Sequence, residues 1–148
     1  MKRKDLMNKV DEEAVIRAIS AAERACAGEI RVHIEGSAGK RDIRKLAERT
    51  FERIGMTRTA ARNGVLIFIC AEQQSFVVLG DRGIHEHVGD DFWSAVAGHL
   101  EEHFRSGEFT EGLVAAITEV GAQLERFFPW EETDVNELPD AISRSDES

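Results

Sequence analysis

A chain of 148 residues, 42% hydrophobic and 32% charged, has the profile of one soluble domain long enough to bury a core without disulfide or metal staples. The formal net charge of −9 excludes the basic stripe that a phosphate backbone requires, so nucleic acid is not an expected partner. Cys26 and Cys70 lie far apart and form no C-x-x-C pair, which reads as a reducing compartment rather than a disulfide framework.

The N-terminal MKRKDLMNKV is basic, but no apolar stretch follows it, so it is not read as a signal peptide. No run reaches the roughly 18 apolar residues of a membrane helix. The expected location is the cytoplasm. Residues 11–26 read as a helix, with Asp11 at the N-cap and Val15, Ile19, Ala22 and Cys26 as the buried stripe. EIRVHIE, residues 29–35, alternates without a break. Ile30, Val32 and Ile34 face one way and Glu29, Arg31, His33 and Glu35 the other, which predicts a strand with one wet or partly covered face. Residues 41–54 carry a second helix, with Ile43, Leu46, Ala47, Phe51 and Ile54 on one side.

A polar connector, GMTRTAARNG, leads into the continuous apolar run NGVLIFICA, which predicts a strand buried on both faces. EQQ turns the chain into SFVVLGD, so the two strands are expected to form an antiparallel hairpin. LGDRGIHEHVGDDFW, residues 79–93, reads as a polar connector. It is either a solvated loop or the rim of a site. A third helix over 90–106 has Asp90 as its expected N-cap, and a fourth begins at Thr110 and closes at Pro129. Residues 1–130 are thus one domain. Residues 131–148 hold seven acids against Arg144, six of the nine net negative charges, and are expected to be an extended or disordered tail.

Strand, helix, strand and hairpin, with helices before and after, specify an α/β fold. It is a three-layer α/β/α sandwich with a small, mixed, mostly parallel sheet plus an antiparallel hairpin. The first two strands should be parallel through a right-handed crossover. The topology has a functional consequence. The parallel strands start at one edge of the sheet, at Glu29 and Asn63, and the antiparallel third strand ends there, delivering Asp81. Thr57, Arg58, Thr59 and Arg62 of the connector reach the same rim, as do Asp90 and Asp91 of the third helix. Carboxylates with asparagine and backbone carbonyls are hard oxygen ligands, suited to Ca²⁺ or Mg²⁺ rather than zinc. The expected metal ligands are therefore Asp81, Asp90 and Asp91, with Arg62, Asn63 and Arg82 completing the site and an arginine able to bond a phosphate. Each residue also has an ordinary role: a helix cap, a turn or a structural ion pair.

Two histidine pairs carry less. HLEEH at 99–103 matches the H-x-x-E-H pattern of inverted zinc peptidases, but no third ligand is evident, and two boundary histidines account for it better. HEH at 85–87 puts both imidazoles on one side if the segment is extended. There is no P-loop, G-x-G-x-x-G or G-x-S-x-G.

Read in order, GEIRVHIE, the F-x-x-x-G-M-x-x-T segment Phe51–Thr59, RNGVLIFI, GDRGI, VGDDFW and FRSGEFTEGL together resemble the TPM domain family, the thylakoid-lumen and photosystem-repair group, over about residues 10–130. DVNELPDAIS is similar to the ending of its short, single-domain bacterial members. The resemblance implies an α/β/α sandwich and an acidic cleft for a divalent cation, calcium first and magnesium second. It also implies, from plant members, an acid phosphatase activity. By motif it maps Arg62 and Asn63 from RNG, Asp81 from GDRG, and Asp90 and Asp91 from GDD. The V-x-D-x-A entry of the longer members is absent from this sequence, which removes one carboxylate from the implied set. The resulting expectation is a cation-binding or scaffold module. The alternatives are a metal-assisted phosphatase acting on a phosphorylated ligand, or an interaction module that engages a protein partner through its acidic tail.

Overall fold

The computed structural model describes residues 1–130 and 142–144. Helices α1 (Arg3–Lys9) and α2 (Glu12–Arg24) precede strand β1 (Glu29–Glu35). Helix α3 (Ile43–Arg53) and a 3₁₀ turn (Met56–Arg58) lead to β2 (Gly64–Cys70) and β3 (Ser75–Gly80). Helices α4 (Arg82–Val88), α5 (Asp90–Arg105) and α6 (Phe109–Phe127) follow, then a short strand β4 (Ile142–Arg144).

The sheet order is β3-β2-β1-β4. β1 and β2 are parallel, from Glu29↔Gly64 to Glu35↔Cys70, and β3 returns antiparallel on β2, from Cys70↔Ser75 to Val65↔Gly80. Pleating divides the side chains between two cores. Ile30, Val32, Ile34, Val65, Ile67, Ile69 and Val78 pack against the stripes of α2, α5 and α6. Leu66, Phe68, Cys70 and Leu79 pack against Leu46, Ala47 and Phe51 of α3 and against Met56. This is the α/β/α sandwich the strand patterns require, and every residue of β2 is buried, as a central parallel strand demands. Each large apolar side chain so enclosed contributes about 1.5–3 kcal/mol, an upper figure because the unfolded chain is partly compact.

Aspartates set three of the helix starts, those of α2, α3 and α4. Asp11 Oδ1 accepts from the Ala14 N–H at 3.1 Å, and Asp42 Oδ1 from the Lys45 N–H at 2.9 Å. Asp90 does not cap α5. Gly89, with φ 79°, occupies the cap position, and Asp90 and Asp91 form the first helical turn, where their charge opposes the positive end of the macrodipole. The N-terminal segment, unassigned from sequence, is the helix α1, held by Leu6 in the core.

The connector at 79–93 is not a loop. Asp81 accepts from the Arg82 N–H at 2.8 Å and starts the two-turn helix α4, which Ile84 anchors in the core. Of the two expectations for the polar face of β1, wet or partly covered, the structure has it covered. His33 is fully buried, and Glu29 and Glu35 nearly so. Phe68 covers His33 in a stacked contact at 5.5 Å, and β4 pairs with β1 at Val32–Ile34, closing that edge. The expectation of an extended or disordered tail falls on residues 131–141 and 145–148, outside those described. Within the tail, residues 142–144 are strand.

The buried His33 makes stability depend on pH. Desolvation lowers its pKa below the ordinary 6.5, against the raising effect of the Glu35 carboxylate 3.1 Å from its Nε2; Arg53 and Arg31 push it down further. The unfolded chain binds this proton more readily, so the contribution is fully present above pH 6.5 and is lost as pH falls toward the lower folded-state value. Urea midpoints taken from pH 7.5 down to 5 should fall, and His33→Gln should flatten that slope. An equally steep fall in the variant would assign it to other groups.

Candidate functional site

Three chain segments meet where β1 and β2 begin. The Asp81 N–H donates to the Gly64 carbonyl at 2.8 Å, so β3 ends beside the start of β2. The Gly83 N–H donates to the Arg62 carbonyl at 2.8 Å, which ties α4 to the connector before β2. Gly83 is required at that contact: a Cβ there would lie 2.2 Å from the Ala61 carbonyl oxygen and 2.6 Å from that of Arg62. Arg62 itself has φ 52°, the left-handed region that non-glycine residues seldom adopt. Backbone strain of this kind persists where the surroundings enforce it and clusters at ligand sites.

What enforces it is a bidentate ion pair. Arg62 Nε donates to Asp81 Oδ2 at 2.5 Å and Nη2 to Oδ1 at 2.9 Å, with Asp81 buried and Arg62 one-third exposed. The bond to Asp81 raises the Arg62 pKa above its ordinary value, so the guanidinium stays charged. Asp81 thus serves three donors, two from Arg62 and one from the α4 N-terminus.

Above this pair opens a cleft of about 510 Å³, lined by Arg44, Glu48 and Glu52 from α3, Thr57, Arg62 and Asp81 from the connectors, and His85 and Asp90. The rim anticipated from topology therefore exists, and it brings Arg62, Asp81 and Asp90 together. The other three expected residues lie elsewhere. Asn63 is buried beneath the rim, where its Nδ2 donates to the Ala27 carbonyl at 3.2 Å. Arg82 and Asp91 are exposed and do not line the cleft.

His85 was not singled out by spacing, because an extended HEH puts both imidazoles on one side. In a helix residues two apart point about 200° apart. His85 accordingly faces the cleft while His87 stacks on Phe127 at 4.4 Å. The Trp93 Nε1–H donates to His85 Nδ1 at 3.0 Å. In neutral His85 the ring proton is therefore on Nε2, which lies 3.7 Å from Asp90 Oδ1. Arg44, Glu48 and Glu52 were also missed, although their i, i+4, i+8 spacing marks one polar face of α3. The HLEEH histidines do not converge: His99 Nδ1 lies 2.8 Å from Glu119, and His103 Nδ1 3.1 Å from Glu108.

The fit to a divalent cation is partial. Among the described residues no three His, Cys, Asp or Glu side chains are grouped closely enough to hold a metal ion. Asp81 is committed to Arg62, and the Asp90 side chain is 86% exposed. The rim does not form a closed protein cage. Its carboxylates suit an ion that keeps several waters and takes further oxygens from a bound ligand, the arrangement typical of Mg²⁺ at phosphates.

Gly83→Ala should cost about 1–3 kcal/mol of stability, the range for forced overpacking, as read from urea unfolding at constant m-value. The same substitution at Gly89, whose added Cβ meets nothing within 4 Å, tests left-handed backbone strain alone.

A family model described as the TPM domain matches residues 1–123. The NMR structure of the BA42 protein from the psychrophilic bacterium Bizionia argentinensis is similar at 40% identity and TM-score 0.83, over 90% of this chain and 92% of that one. The solution structure of the N-terminal domain of a P. gingivalis protein shares the fold at 23% identity and TM-score 0.61, over 84% of this chain and 74% of that one. No curated protein matches.

Proposed function

This chain belongs to the TPM domain family, and we propose that within it the cleft above the Arg62–Asp81 pair serves a cation-assisted binding module. The observation that carries the reading is the mixed charge of one cleft. Glu48, Glu52, Asp81 and Asp90 share it with Arg44 and Arg62. Carboxylates alone would suit a bare cation, and arginines alone a bare anion. Both together suit a divalent cation carried with an anionic group such as a phosphate. Magnesium, which keeps several waters, fits this open rim; calcium, the first expectation from the resemblance, is the alternative. Asp90 is the proposed ligand from the described cleft, with Glu48 or Glu52 beside it, Asp81 held mainly by Arg62 and Asp91 adding charge on the same helix turn.

Ligand linkage gives the test. Binding to the folded state alone stabilises it by about 2.7 kcal/mol when the free ion is at 100 times its Kd. Millimolar Ca²⁺ or Mg²⁺ should raise the melting temperature, more so with a phosphomonoester present. Asp90→Asn with Glu48→Gln should remove the shift without touching the Arg62–Asp81 pair. A melting curve unmoved by either ion, with and without the phosphomonoester, sinks the reading.

A second reading, hydrolysis of a phosphate ester, is favoured by one observation: the Trp93–His85 hydrogen bond. It fixes the neutral imidazole with its proton on Nε2, on the cleft side, where it can donate a hydrogen bond to a phosphoryl oxygen as charge develops there. A bound cation would supply charge to the phosphoryl group. Water would attack phosphorus as the ester P–O bond breaks, its proton passing to the departing oxygen, while Arg44, Arg62 and the His85 Nε2–H would hold the phosphoryl oxygens by hydrogen bonds. Turnover of an aryl phosphate should then fall about 100-fold or more in His85→Ala, the effect of losing one such donor. Full activity in that variant would exclude His85 as the donor.

A further inference from the structure

The charge on helix α3 is not evenly paired. Lys45, Arg49 and Arg53 follow one another at i, i+4 spacing, and all three are exposed. Arg41, in the turn before the helix, extends the row. It lines one shallow dent of about 240 Å³ with Asp42, Lys45, Leu46 and Arg49. Its guanidinium is fixed there, donating to the Ala38 and Ser37 carbonyls at 2.9 and 3.1 Å. Asp42, the one carboxylate of the dent, is occupied in capping α3.

Like charges at i, i+4 destabilise a helix, and elsewhere the chain uses that spacing in the opposite sense. Arg17 meets Glu13 on α2, Arg44 meets Glu48 on the neighbouring row of α3, and Arg105 meets Glu101 on α5. Among the described residues no ion pair engages Arg41, Lys45, Arg49 or Arg53. Residues 40–53 hold six cations against three carboxylates, so this helix is basic in a chain whose net charge is −9.

We propose that the row Arg41, Lys45, Arg49 and Arg53 is a docking surface for an extended protein segment with acidic residues at alternate positions. Spacing identifies the occupant. Residues four apart on a helix are separated by about 6.0 Å along its axis. Alternate residues of an extended chain lie about 6.6–6.8 Å apart. Successive carboxylates of such a segment therefore meet successive cations, and the long basic side chains take up the small mismatch. An anionic bilayer is a broad plane, whereas this row is one residue wide and has Glu48 and Glu52 beside it on the cleft side. A polynucleotide draws on aromatic stacking as well as charge, and Phe51, the aromatic residue of α3, is in the core. The inference goes beyond cation binding, because none of the four lines the cleft.

The test is a titration of the ¹⁵N-labelled full chain at low salt, with EDTA present, using the blocked peptide Ser-Glu-Ser-Glu-Ser-Glu-Ser. Saturable shifts are expected at the amides of Arg41, Lys45 and Arg49, with binding that weakens as salt is added. Lys45→Gln with Arg49→Gln should weaken the peptide about three- to tenfold, the effect of losing two exposed ion pairs. The same variant should melt no lower than the parent, since it removes a repulsive pair. Arg17→Gln, on a different helix, should leave peptide binding unchanged. A peptide of the same composition with its three glutamates adjacent should bind less well. The proposal is overturned if no saturable shift appears at millimolar peptide, if the adjacent-glutamate peptide binds equally, or if Arg17→Gln weakens binding as much as the double variant. It is overturned equally if oligothymidylate or phosphatidylserine vesicles bind the row more tightly than the peptide. Shifts of the same amides with protein concentration alone would assign the row to a second copy of the chain. Peptide binding that tightens in Asp146→Asn with Glu147→Gln would assign it to the chain's own acids, and either result overturns the proposal.

Discussion

One buried carboxylate organises the functional end of this fold. Asp81 terminates β3, starts α4 and binds Arg62, so a strand, a helix and the connector into β2 depend on a single side chain. Removing Arg62 would leave the buried Asp81 carboxylate with only the Arg82 N–H to compensate its lost water, and that cost exceeds the net worth of the pair itself. The arrangement explains why Arg62 tolerates a left-handed backbone and why Gly83 must lack a side chain. It also sets a limit on chemistry. A carboxylate engaged this fully is a scaffold first, and any ion or ligand in the cleft must be served mainly by its neighbours on α3, α4 and α5.

Those neighbours come from elements of different kinds. Helix α3 packs on one face of the sheet through Leu46, Ala47 and Phe51 and turns Arg44, Glu48 and Glu52 toward the cleft. Helix α5 packs on the other face and fixes Trp93 against Gly80, where a Cβ would lie 2.1 Å from the indole. The indole holds His85 in turn. The two apolar cores therefore set the spacing of the polar groups. The cleft is wide because it spans the thickness of the sheet and has one helix on each side.

Much of this was legible in the residues. Alternation in EIRVHIE and the unbroken apolar run of GVLIFIC fix the strands, and the short turn between the apolar runs fixes the hairpin. Together they place Asp81 beside Arg62 without any coordinates. Three things were not legible. The polar face of β1 reads as wet or partly covered, and nothing local announces that Phe68 will stack on His33. The helix α4 is hidden by a glycine and two histidines; its helicity rests on a cap and on Ile84 entering a core built by distant segments. The wall formed by Arg44, Glu48 and Glu52 was visible as a polar stripe on α3, but its direction depends on which face of the sheet the crossover helix takes.

The register of the sheet also orders its assembly. β2 and β3 are joined by four residues, Ala71–Gln74, so their pairing closes a short loop. Joining β1 to β2 brings Glu29 to Gly64 across a whole crossover, with α3 inside it. Chain-closure entropy is far smaller for the first event than for the second. The hairpin can therefore exist as a transient nucleus before the parallel pair is zipped, and at that stage both of its edges are open. One edge is soon sealed by β1, while among the described residues no strand pairs with the other. For a nascent chain, the outer side of β3 is thus the surface on which misassembly between molecules would begin.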